Sequence, residues 1–254
     1  MEKIMNYIVK ENEIFIGLED SKKTWKICTR CNGVTIHEAS MPAHYEVFKN
    51  YITNKFPDCK IHLMYEAGFR GFELHDQLKD DGYDCIVTPP HTVTQEKSLR
   101  QKNDRTDCRR LAKNLENGDY HVCYPPSRKR REDRQISRLY EQTKRDITRE
   151  SNRIRRTLEF HGLDRKCPQG VWSHAAYHRV HEQLNEMDIS FSIKSTFNVY
   201  FEKLYYLYTV QKQTLQELHK LAKSESYCKS VEILKSVPGI GILTAIRLIL
   251  EWGD

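Results

Sequence analysis

At 254 residues, with 39% hydrophobic side chains, the chain is long enough for one ordinary catalytic domain plus a smaller piece and apolar enough to build a core. No apolar run approaches the roughly 18 to 20 residues a bilayer span needs, and MEKIMNYIVKENE lacks a cleavable apolar leader, so a soluble, cytoplasmic protein without membrane contact is expected. The net charge of +6 is uneven: residues 127–156 hold twelve Lys or Arg against five Asp or Glu, as expected of a polyanion partner or of a solvated, salt-bridged helix face.

EIFIGLE (13–19) is nearly continuous apolar, as a strand buried on both faces would be, and ends on an acid. TWKICTRC and VTIHEA flank Asn32-Gly33, a dipeptide suited to a two-residue hairpin turn, so three antiparallel strands are expected. Cys28 and Cys31 form the only CxxC among eight scattered cysteines. With no matching second pair for zinc, free thiols and no disulfides are expected. Ser40 as cap, Pro42 in the first turn, and Tyr45, Phe48, Tyr51 and Ile52 at helical spacing predict a helix over 42–55. KIHLMYE (60–66) reads as a second buried strand ending in a carboxylate. A helix over 70–80, a strand over 83–89 and an Arg-rich helix from about Asp104 follow. This order predicts an α/β fold with an RNase H-like layout: a mixed sheet with helices on both faces, because strands this apolar leave neither face wet.

From Ser127 to about Leu158 the apolar residues recur by threes, fours and sevens between the charges, a stripe that wants a partner helix. After Gly and Pro punctuation over 161–173, helical character resumes over 176–223. There Phe197, Phe201, Leu204 and Leu218 can zip antiparallel onto the first long helix or onto another subunit, a route to a homo-oligomer. SVPGIGILTAIRLILEW (236–252) has the form of a helix-hairpin-helix turn. Gly239 and Gly241 there serve either DNA-backbone contact or an ordinary interhelical turn. Three segments result: a catalytic domain over 1–125, a basic helical, coiled-coil region over 126–228, and the start of a further domain over 229–254.

Two-metal phosphodiester chemistry needs converging carboxylates, and hard oxygen ligands suit Mg²⁺. Glu19 and Glu66 stand at the ends of two inner strands, and Asp104 and Asp107, at i and i+3, share one helix face. Isolated acids at strand ends and in first helical turns also arise without chemistry. Here Lys97, Arg100, Lys102, Arg105, Arg109, Arg110 and Lys113 surround the two Asp, as a polyanionic substrate would require, and Arg128, Lys129, Arg130 and Arg131 extend the basic surface.

At these residues the sequence resembles the insertion-sequence-110 family of DEDD transposases, with a RuvC-like amino-terminal domain. IGLEDSKKTW (16–25) is similar to its first acidic strand, YEAGFRGFELHDQLKDDGYD (65–84) to its second acidic motif, and KNDRTDCRRLA (102–112) to its paired-Asp motif. The resemblance implies that Glu66, Asp104 and Asp107 are catalytic metal ligands. It places Glu19 where the family pattern has Asp, while the adjacent Asp20 would point to the opposite strand face. It further implies Mg²⁺-dependent DNA strand cleavage and exchange, steered by a structured non-coding guide RNA. It identifies SVPGIGILTA (236–245) as the opening of a second transposase domain whose nucleophilic serine matches no residue before Asp254, so an interrupted domain is expected. An inactive remnant that only binds nucleic acid, and a Holliday-junction-type endonuclease, are the competing expectations.

Overall fold

The computed structural model describes residues 13–90, 104–166 and 172–252; the side chains of Asp104, Arg105 and Lys166 lie outside the described set. The chain divides into two compact units, Met1–Pro125 and Pro126–Asp254.

In the first unit, β1 (Glu13–Glu19), β2 (Thr24–Cys31), β3 (Val34–Pro42), β4 (Lys60–Glu66) and β5 (Asp84–Thr88) form one mixed sheet in the order β3-β2-β1-β4-β5. The first three strands are antiparallel neighbours, joined at one end by the tight turn in which Asn32 and Gly33 take φ of 51° and 79°. β4 and β5 join them in parallel through helical connections. The strand period of two sorts each apolar run between the faces. Ile14, Ile16 and Leu18 of β1 and Ile61, Leu63 and Tyr65 of β4 meet Phe48 and Ile52 of α1 (Tyr45–Lys55) and Leu74 and Leu78 of α2 (Glu73–Asp80). On the opposite face Met64 packs with Leu111 and Leu115 of α3 (Asp104–Asn117), and Phe15 lies against them. The expected mixed α/β sheet with helices on both faces is therefore present, consistent with an RNase H-like arrangement.

Two local signals were overridden. Ser40 does not cap a helix and Pro42 does not open one: both lie in β3, where Ser40 pairs with Lys26 and Pro42 with Thr24. The helix starts at Tyr45 after His44, which supplies no side-chain cap. Ladder pairing to β2 outweighs a single cap, which contributes about 1 kcal/mol. The second helix begins at Glu73 rather than at 70.

The second unit is helical among the described residues: α4 (Arg128–Phe160), a 3-10 turn at Asp164–Lys166, α5 (His174–Glu186), α6 (Phe191–Lys223), α7 (Cys228–Lys235) and α8 (Ile242–Trp252). The helical stretch expected over 176–223 is broken between Glu186 and Phe191, where Ser190 caps α6 by accepting from the Ile193 backbone N–H. α4 and α6 lie antiparallel. Ile154 and Leu158 near the end of α4 pack with Phe197, Phe201 and Leu204 near the start of α6, whereas Tyr140 packs with Leu218 and Ala222 near its end. Val231, Ala245, Ile246 and Leu250 of α7 and α8 belong to that second cluster, so residues 228–252 share a core with the long helices. No helix among the described residues is long and apolar enough to cross a membrane.

Candidate active site

The position of α3 decides the geometry of the acids. Gly17 lies on the inner strand under α3, and a β-carbon built there would come within 2.2 Å of the Cys108 carbonyl oxygen and 2.4 Å of the Ala112 amide nitrogen. Only the missing side chain lets the helix backbone descend this far. Cys28, the β2 partner of Gly17, completes a small-residue seat with Cys108 and Ala112. Burial raises the Cys28 thiol and pushes Cys108 up to about 12, so both are neutral packing groups. Cys31 belongs to the core of the other sheet face, so the CxxC does not converge on a metal, and no disulfide joins the described cysteines.

Phe15, early in β1, meets the later turns of α3, and Gly17 meets its middle, so the helix runs antiparallel to β1 and β4. Its amino-terminal end therefore lies at the carboxy-terminal ends of those strands. That is where Glu19 and Glu66 stand. Both follow the phase of Gly17 and Met64, on the α3 side of the sheet. The parallel register Leu18↔Tyr65, carried one residue further, sets Glu19 beside Glu66 on strands roughly 4.8 Å apart. Asp107, in the first turns of α3, is brought to Glu66 by a shared cation: Arg110 Nη2 donates to Glu66 Oε1 at 2.8 Å and lies 3.3 Å from Asp107 Oδ1. Asp104 opens the same helix one turn earlier.

Asp20 faces the opposite way. It accepts from Trp25 Nε1 at 2.7 Å and pairs with Arg70 Nε at 3.1 Å, and burial raises its carboxyl despite both contacts. It lines a cavity of about 280 Å³ with Tyr45, Glu73 and Gln77, on the α1–α2 side of the sheet. Glu19, rather than Asp20, is thus the β1 acid on the same side as Glu66 and Asp107.

Among the described residues, no three His, Cys, Asp or Glu side chains already gather as a metal cage. Arg110 stands between two of the acids, and the Asp104 side chain lies outside the described residues. The donor chemistry nevertheless fits a hard divalent ion: Glu66 and Asp107 offer carboxylate oxygens, both turned toward one positive charge.

The basic residues divide. Lys97, Arg100 and Lys102 lie outside the described residues, as does the Arg105 side chain. Arg109 forms a two-pronged ion pair with Glu38 of β3, and Arg110 is committed to the acids. Lys113 is exposed. In the second unit Arg128 and Lys129 are exposed, Lys129 pairing with Asp133, whereas Arg130 is only 9% exposed and Arg131 half-buried. Gly239, at φ 88°, and Gly241 occupy the exposed turn between α7 and α8. Periodicity left unnoticed a groove of about 490 Å³ that includes Arg138, Arg145, Arg149 and Arg247 with Glu141 and Glu251. Its signal was the run of arginines on one α4 face, but Arg247 comes from α8, and sequence spacing does not reveal that approach.

The family model for IS110-type DEDD transposases, described as Transposase, matches residues 17–162. The match takes in the two acidic strand ends and the whole of α3. The chain is also 26% identical over 257 aligned positions to the transposase for insertion sequence element IS1533 of Leptospira borgpetersenii, covering 96% of this chain and 71% of that relative. With the family model spanning more than half of its length, the chain belongs to the IS110 family of DEDD transposases.

Proposed function

We propose that the chain cuts and exchanges DNA strands of an insertion sequence at a Mg²⁺ centre held by Glu19, Glu66, Asp104 and Asp107. The observation that carries this reading is the convergence of Glu66 and Asp107 on one cation at the strand ends, with Glu19 on the adjacent strand of the same face. Divalent ions held there supply charge stabilisation for the attacking and leaving oxygens of phosphodiester exchange. The chain's own contribution is rigidity: two acids stand on inner strands and Asp107 on a helix pressed against Gly17, so their supports are packed together before substrate arrives.

The arginine groove of the second unit, the exposed Arg128 and Lys129, and the turn at Gly239 and Gly241 support contact with DNA phosphates and with a structured guide RNA. Val199 and Tyr206, exposed and seven residues apart on α6, support self-association through the long helices. A second reading, nucleic-acid binding without cleavage, is favoured by Glu19, whose additional methylene shifts a carboxylate that the family pattern supplies from Asp.

The test is Mg²⁺-dependent cleavage of DNA carrying the element's ends, with the guide RNA present. Glu66→Gln and Asp107→Asn are each expected to lower the rate at least 100-fold, while circular dichroism stays unchanged. Wild-type rates in both variants would overturn the proposed centre, and RNA or DNA binding without any cleavage by the unaltered chain would favour the second reading.

A further inference from the structure

Arg110 has no assigned part in strand cleavage, yet it occupies the middle of the acidic site. One terminal nitrogen serves both Glu66 and Asp107. Its Nε is buried and has no hydrogen-bond partner among the described residues. A guanidinium placed to satisfy itself would not leave a buried donor unmade, so its position is set by the carboxylates. Two acids this close repel unless a positive charge lies between them. The neighbouring Arg109 cannot serve, because Glu38 on β3 holds it in a two-pronged pair. Arg110 also has an exit: its side chain is 22% exposed and long enough to swing toward water.

Resting on the metal-centre reading above, we propose that Arg110 is an internal counter-cation: it holds Glu66 and Asp107 together until a divalent ion takes its place, so that metal binding competes with the guanidinium. This device keeps the carboxylates preorganised in the metal-free chain and at the same time weakens its affinity for metal. Deleting the charge therefore has two opposite effects. The metal-free protein loses stability through carboxylate repulsion, and the divalent ion binds more tightly because nothing has to be displaced. An arginine that bound phosphate while turned away from the acids would produce neither.

The experiment is calorimetric titration of Mg²⁺ and Mn²⁺ into wild type, Arg110→Gln and Arg110→Lys without nucleic acid, together with thermal unfolding with and without metal. Arg110→Gln is expected to bind Mg²⁺ about tenfold more tightly, equivalent to about 1.4 kcal/mol, to unfold at lower temperature without metal, and to recover most of that loss when Mg²⁺ is added. Arg110→Lys, with a compact ammonium in place of a broad fork, is expected to tighten binding by a smaller factor. Equal or weaker Mg²⁺ binding by folded Arg110→Gln would overturn the proposal while leaving the metal centre standing. If Arg110→Gln does not fold, unchanged or weaker binding by Arg110→Lys overturns it equally. Absence of titration by either ion in wild type and variants alike would remove the metal centre and this proposal with it.

Discussion

Replacing Gly17 with alanine tests whether the descent of α3 onto the sheet builds the site. The added β-carbon would lie 2.2 Å from the Cys108 carbonyl oxygen, 2.4 Å from the Ala112 nitrogen and 2.9 Å from the Leu111 β-carbon. Ordinary non-bonded contact begins at about 3.5 Å. Two of the three obstacles are helix backbone and cannot rotate aside, so α3 has to withdraw by about 1 Å. Overpacking of this kind costs typically 1–3 kcal/mol, and the backbone obstacles put Gly17→Ala near the upper end, about 3 kcal/mol. With a urea dependence of about 2–3 kcal/mol per molar, the unfolding midpoint of the first unit should fall by about 1 M. The same displacement carries Asp104, Asp107 and Arg110 away from Glu66. A misplacement of about 1 Å can cost about 100-fold in rate, so cleavage by the folded fraction should fall by that order. Urea unfolding followed by circular dichroism, paired with the cleavage assay in metal excess, reads both quantities. A Gly17→Ala protein with the wild-type midpoint and wild-type cleavage would refute the reasoning.

Other expectations follow from groups outside the acids. Burial lowers the pKa of His37, whose Nδ1 lies 2.8 Å from the Tyr51 hydroxyl, so the unfolded chain takes up the proton first. Its contribution is therefore intact above the unfolded value near 6.5 and is lost as pH falls below it. His37→Gln should flatten part of the stability loss between pH 7 and pH 5, as measured by urea titration at each pH. Cys85 and Cys108, each pushed up to about 12 by burial, should resist iodoacetamide in the native protein at pH 8, whereas the half-buried Cys59 and Cys228 should be alkylated, as mass spectrometry would show. Glu116 accepts from Arg30 Nε and from the Gly33 backbone N–H, both at 2.6 Å, tying the hairpin turn to the end of α3. Glu116→Ala leaves both donors without that acceptor and should cost about 2–3 kcal/mol, read as a lowered urea midpoint.

Much of the first unit's sheet is legible because β1, β4 and β5 are short apolar runs that each end in a polar residue, and that pattern marks them directly. EIFIGLE and KIHLMYE became adjacent parallel strands, and their terminal acids fell on the same face. The paired Asp motif gave the start of α3 for the same reason, a helical run opening on an acid. What stayed hidden is three-dimensional contact. Gly17 reads as one apolar strand residue, and nothing in its neighbours announces that α3 rests on it. Arg110 reads as one more base in an Arg-rich helix, whereas the structure gives it to Glu66 and Asp107. Ser40 and Pro42 carry a sound helix-start signal that loses to pairing with β2. The break before α6 was marked only by Ser190, a cap buried in a long helical pattern.

The most direct measurement of the metal centre is a crystal of the chain grown with Mn²⁺ and recorded at a wavelength where manganese scatters anomalously. One or two anomalous peaks coordinated by oxygens of Glu66 and Asp107, with Glu19 and Asp104 within reach, are the expected result. Bound manganese found only elsewhere, with Arg110 still bridging Glu66 and Asp107 at saturating ion, would contradict the account.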